Sequence, residues 1–218
     1  MFKSGEGTLA TLGAVPLLGG AVRLTRGSVT AARMLYRAQH KAKWWSRFRR
    51  AQRAFKSMRE VFARQADELL TRRVLPQGKL LKVGRLSQKV REFIESKGLT
   101  PSTNDIVIPD SRLLRMRRDT KREAGIALPE SVIQRLPELL YSPKAVLWER
   151  DRKGLLYVFD VPGDARKGKI VIKIEYNVGK RANEDIRPAV VSGSIIGENA
   201  LLDRTAYEVV EGALRLGD

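Results

Sequence analysis

The sequence predicts an α+β fold: a basic, mainly helical arm over residues 1–78, then a domain over residues 79–218 whose short helices pack on a four- or five-stranded antiparallel sheet. Three observations carry this expectation. Charge is divided unevenly, with 22 Lys/Arg against 6 Asp/Glu in residues 1–100 and 20 against 18 in residues 101–218. Pro76 and Gly78 fall close together after a long helix-favouring stretch, where Pro stops a helix and Gly frees the chain. Beyond Ser142 and Pro143 the apolar period changes from helical to alternating.

The arm opens with an uncharged, apolar, glycine-rich lead, residues 7–22. It is shorter than the ~20 residues that span a bilayer as a helix. Glu6 and the exit through Arg23 and Arg26 fit a signal peptide poorly, so neither a signal peptide nor a transmembrane helix is expected. From Thr30 to Val74 there is no Pro or Gly, and Ala, Arg, Lys, Gln and Leu favour a long helix, at most broken once. Phe48, Phe55, Phe62 and Leu69 recur every seven residues, with Trp44, Ala51, Met58 and Gln65 before them, which gives one apolar seam. Such a seam packs on its own domain or on a second copy, with aromatic intercalation into nucleic acid as the alternative. The other faces carry Arg47, Arg50, Arg53 and Lys56, the expected nucleic-acid contacts, because 22 Lys/Arg against 6 Asp/Glu, a net +16 over residues 1–100, is too lopsided for a neutral solubilising surface. An acidic protein partner or an anionic membrane would meet the same charge.

In the second domain, Ser87 caps a short helix that ends before Gly98, with Val90, Phe93 and Ile94 inward. One short extended piece, Ile106–Ile108, precedes a basic helix from Arg112 to Glu123, and a third helix is expected from Glu130 to Leu140. Strands follow at residues 145–150, 155–161, 170–176 and 189–196, the first three joined by turns at Asp151 to Gly154 and Pro162 to Asp164. Lys169, Val171, Lys173 and Glu175 alternate with Ile170, Ile172 and Ile174, so this sheet is expected to have one packed and one wet face. The stretch after Asn199 reads as a helix and a closing strand, Tyr207 to Gly212.

The absence of Cys excludes a disulfide framework, a thiolate zinc site and a cysteine nucleophile. His40 alone builds no multi-histidine metal site, and no Gly-rich phosphate loop or carboxylate cluster suggests an NTPase or metal nuclease. No metal or cofactor is therefore expected.

Residues 105–212, about half of the chain, resemble the phage-associated branch of the barnase/EndoU/colicin/RelE-like (BECR) nuclease superfamily, found in phage head proteins and polymorphic toxins. The resemblance runs through DIVIPDSRLLRMRRDTKREAGIALP, LPELLYSPKAVLWERDRKGLLYVFD, KIVIKIEY and AVVSGS, in that order. It implies helices packed on an antiparallel sheet and metal-independent cleavage of RNA through 2′-hydroxyl attack. That reaction needs a proton removed from the 2′-hydroxyl, a stabilised phosphorane and a proton for the leaving oxygen. With no histidine in the domain, Lys, Arg, Glu, Ser and Tyr must provide these services. The candidate catalytic residues are Lys173, Glu175, Arg118, Ser192, Ser194 and Tyr207, with Arg112, Arg115 and Lys121 holding phosphate and Glu149 a weaker choice of base. Each has an ordinary alternative: a surface charge pair for Lys173 and Glu175, strand-end polar residues for the serines, a solvated helix face for the arginines.

The expected function is thus a toxin-like ribonuclease, phage-borne or delivered to act in the bacterial cytoplasm, with RNA as substrate and an acidic immunity protein as a partner. The alternative is a non-enzymatic virion or ejected protein whose basic helices bind nucleic acid. A membrane-active helical protein is a third reading.

Overall fold

The computed structural model describes residues 26–179 and 185–214, so the apolar lead at residues 7–22 lies outside the described residues. The chain divides into two compact units, the second beginning at Ala51. In chain order the elements are α1 (Arg26–Leu70), β1 (Leu80–Arg85), α2 (Gln88–Ser96), β2 (Asp105–Pro109), α3 (Asp110–Arg115), α4 (Asp119–Glu123), α5 (Glu130–Ile133), α6 (Leu136–Tyr141), β3 (Ala145–Glu149), β4 (Gly154–Val161), β5 (Asp164–Asn177), β6 (Ile186–Ile196), α7 (Glu198–Leu201) and β7 (Tyr207–Gly212).

The seam on α1 is used only in part. Phe62, Ala66, Leu69 and Leu70, spaced to share one helix face, are buried in the core of the second unit, whereas Trp44 and Phe48 are exposed. The last twenty residues of α1 are therefore built into the α+β unit. A chain cut at residue 79 would lose four buried side chains from that core. The helix closes with the Thr71 hydroxyl donating to the Asp67 carbonyl at 2.6 Å and with Arg72 at φ 58°, the left-handed conformation common after a helix C-terminus.

The sheet has seven strands in the order β1-β2-β6-β5-β4-β3-β7, more than the four or five expected, and it is mixed. The departure from an all-antiparallel sheet is β2, which runs parallel to β6 through Val107 and Ala189. Strand β1 hides from a period-two reading because its register with β2 slips between Lys82 and Gly84. The slip leaves Val83 as an extra, bulged residue and breaks the alternation. Strand β7 pairs with β3 rather than with its sequence neighbour β6, a long-range choice that local pattern does not contain.

Two expected helices are each broken into two. The stretch Arg112 to Glu123 forms α3 and α4 because Arg118 is extended, with ψ 146°. The stretch Glu130 to Leu140 forms α5 and α6, with Pro137 in the first turn of α6, where its missing N–H costs nothing.

One face of the sheet carries the main core: Ile170, Ile172 and Ile174 of β5, Leu155, Tyr157 and Phe159 of β4, and Val190 of β6, covered by α1, α2 and α6. Around that face the sheet's two edges are tied together. The Ser87 hydroxyl, just after β1, donates to Glu211 Oε2 on β7 at 2.7 Å, and Lys97 lies 2.9 Å from Glu208. The opposite face is not simply wet. Ala145, Leu147, Leu156 and Val158 form a second, smaller apolar cluster with Leu201 of α7, and Val171, Ile196 and Tyr207 pack against it.

Candidate active site

The polar part of this second face is organised in rows across the strands. One row runs Lys173, Gly154, Glu149, Tyr207 over β5, β4, β3 and β7. A second pairs Ser192 with Val171 and Leu156, and a third pairs Ser194 with Lys169 and Val158. A register slip in β6 decides which way the serines face. Ile172 pairs with Val190 and Val171 with Ser192, leaving Val191 extra, so Val190 enters the main core while Ser192 shares the polar face.

The unpaired edge of β6 is covered by the α4 segment. The Ile195 N–H donates to the Ile126 carbonyl at 2.9 Å. Gly193, between the two serines, lets the main core pack closely against β6, since a Cβ there would sit 2.7 Å from Ile170 Cδ1 and 3.0 Å from Leu128 Cδ1. Lys121 then reaches over the edge. Its Nζ donates to the Gly193 carbonyl at 2.6 Å and to Ser192 Oγ at 3.2 Å.

Burial sets the electrostatics of this face. The Lys121 ammonium is half-buried, and desolvation, then repulsion from Arg118 and Lys169, pulls its pKa below the ordinary value. Lys169 is also pulled down, chiefly by burial; Glu149 acts in the opposite direction and Arg152 reinforces the lowering. Tyr207 is pushed up, first by burial and then by the Glu149 carboxylate. Glu149 has one oxygen 3.6 Å from Arg152 Nη1, while its Oε2 is buried without a hydrogen-bond partner. Such an unmet acceptor is costly in a folded protein and suits a group supplied by a ligand.

The structure brings Lys121, Ser192, Ser194 and Tyr207 to this face, with exposed Arg118 at the start of α4 beside Lys121. Lys173 is on the same face but exposed. Glu175 lies beyond the last β4–β5 pair, Gly154 with Lys173, and no ion pair joins it to Lys173 among the described residues. Arg112 turns elsewhere: its Nη2 donates to the Tyr176 hydroxyl at 2.8 Å. Arg115 is exposed at the end of α3. Arg47 and Arg50 are exposed in the first unit, and Arg53 and Lys56 in the second, with Lys56 3.9 Å from Glu60. Lys169 and Arg152 were not among the sequence candidates, although Lys169 stands in the same alternation as Lys173. Among the described residues, no group of three or more His, Cys, Asp or Glu side chains is arranged to hold a metal ion. No described helix is long and apolar enough to cross a membrane.

Comparison with known proteins gives one informative likeness. Over 105 residues the chain is 33% identical to "Putative capsid assembly protein F" of Escherichia phage Mu. That stretch is 47% of this chain and 23% of the phage protein, so the chain spans less than a quarter of that relative's length. The likeness associates the chain with a phage protein. No family model matches the chain, and no solved structure matches it.

Proposed function

We propose that the polar face of the sheet is the active site of a metal-independent ribonuclease of the BECR type. The observation that carries this reading is the pair of half-buried lysines, Lys121 and Lys169, held with lowered pKa values on a face that also presents Glu149, Ser192 and Tyr207. Two neighbouring lysines, both held below the ordinary lysine value, can divide the acid and base roles between them. Lys169, its ammonium disfavoured by burial, takes the 2′-hydroxyl proton. The 2′-oxygen then bonds to phosphorus as the bond from phosphorus to the 5′-oxygen breaks. Lys121, protonated and coordinated with Arg118 around the phosphoryl oxygens, gives its proton to that 5′-oxygen. The products are a 2′,3′-cyclic phosphate and a 5′-hydroxyl. Tyr207 keeps its proton and, with the open Glu149 oxygen, offers a donor and an acceptor to a nucleobase edge.

The test uses the full chain, because α1 contributes to the core. An RNA oligomer should be cut to a 2′,3′-cyclic end, and the same oligomer with a 2′-deoxynucleotide at the cleavage position should resist. Survival of the RNA in the presence of folded protein contradicts the proposal. A second reading, a non-enzymatic phage structural protein that binds nucleic acid, is supported by the likeness to a capsid assembly protein. Salt-dependent binding without cleavage would favour it.

A further inference from the structure

We infer that the first unit carries a separate surface for single-stranded nucleic acid, centred on Trp44 and Phe48. This stands apart from the cleavage reading, since it involves no residue of the polar face. Every side chain from Tyr36 to Arg50 is exposed. Trp44 is 58% exposed, yet its ring stacks on Phe48 at 5.4 Å with the planes 8° apart, and Trp45 meets both rings edge-on. An exposed aromatic cluster that is already ordered needs little further fixing to receive bases, and every base offers a face that stacks on it.

The charge around the rings selects a polyanion. Between Glu6 and Glu60 the sequence holds 12 Lys/Arg and no Asp/Glu. Within the helix each of the two tryptophans has a cation three or four positions away: Lys41 before Trp44 and Trp45, Arg47 after Trp44, and Arg49 after Trp45. These cations also decide between a membrane and a nucleic acid. At about 3.6 residues per turn, Arg37 and Lys41 fall beside Trp44 and Phe48, Arg49 beside Trp45, and Lys43, Arg47 and Arg50 on the remaining side. A helix lying in a bilayer interface needs one apolar face free of charge, and this one has none. A strand of phosphates with unstacked bases accepts cations and rings interleaved on one surface.

The experiment follows tryptophan fluorescence as the full chain is titrated with a deoxythymidine oligomer, which has no 2′-hydroxyl to cleave. Trp148 is buried, so the signal reports Trp44 and Trp45. Quenching is expected, with an affinity that falls steeply with salt. Trp44→Ala/Phe48→Ala should weaken binding about tenfold or more at unchanged salt slope. Arg47→Ala/Arg49→Ala/Arg50→Ala should make the slope shallower by about 2, at roughly 0.7 per phosphate contact for a single strand. Unchanged affinity of the ring variant overturns the inference. So does binding to phosphatidylglycerol vesicles without binding to the oligomer, or preference for the duplex of the same sequence length.

Discussion

Lys121 Nζ lies 2.6 Å from the Gly193 carbonyl and 3.2 Å from Ser192 Oγ, so a residue of a five-residue helix is pinned to β6 at the candidate site. In the proposed reaction Lys121 must be protonated and Lys169 neutral. The cleavage rate should therefore rise with pH as Lys169 loses its proton and fall as Lys121 loses its own, with both limbs below the ordinary lysine value of 10.5. Lys121→Arg, which keeps the phosphate contact but cannot release a proton in this range, should remove the falling limb and lower the rate across the profile. A profile of single-turnover rate against pH checks this.

Burial of Lys169 also predicts a stability effect with a definite sign. Its folded pKa is below 10.5, so below the folded value the charged form is present in both states and the desolvation cost is fully felt. As pH rises from the folded value toward 10.5, the folded state releases its proton first and the cost disappears. Lys169→Met should raise the melting temperature at neutral pH, and that gain should shrink as pH approaches 10.5. Thermal melts of the two proteins at neutral and alkaline pH measure it.

Gly193→Ala should damage the fold and the site together. The added Cβ meets Ile170, Leu128 and Met116 side chains at 2.7, 3.0 and 3.2 Å. Overpacking of this kind costs about 1–3 kcal/mol, and relief requires the ends of those three side chains to shift. Denaturant titration should show the loss, and cleavage should fall further than the unfolded fraction explains.

Ser87→Ala removes two bonds at once: the cap to the Val90 N–H at 3.2 Å and the link to Glu211 at 2.7 Å between the two edges of the sheet. Loss of the cap alone costs about 1 kcal/mol, and the Glu211 bond adds to it. Urea unfolding should show a loss of about 2 kcal/mol. Ser87→Thr, which keeps an oxygen at the cap, should recover most of it.

Much of the β3 to β6 meander could be read from the sequence because its information is local. Turn residues at Asp151 to Gly154 and at Pro162 to Asp164 fix two hairpins, and β5 alternates without interruption from Lys169 to Glu175. Strand β1 was not legible, since the bulge at Val83 breaks its pattern, and the parallel pairing of β2 with β6 joins residues far apart in the chain. The site divides in the same way. The two serines could be paired from their spacing and Tyr207 named from the chemistry that the nuclease resemblance implies, but the face the serines occupy depends on the extra residue Val191, and the reach of Lys121 depends on the break at Arg118. Lys169 was visible in the alternation. Only its half-buried position between Glu149 and Arg152 distinguishes it from the exposed Lys173.

Whether the polar face cuts RNA is decided by expressing the full chain under tight control in a bacterium, beside a Lys121→Ala/Lys169→Ala variant shown to be folded, and resolving total RNA on a gel. Discrete RNA fragments and growth arrest are expected with the parent, and intact RNA with the variant. Intact RNA with both folded proteins, or equal fragmentation with both, would contradict the proposed cleavage.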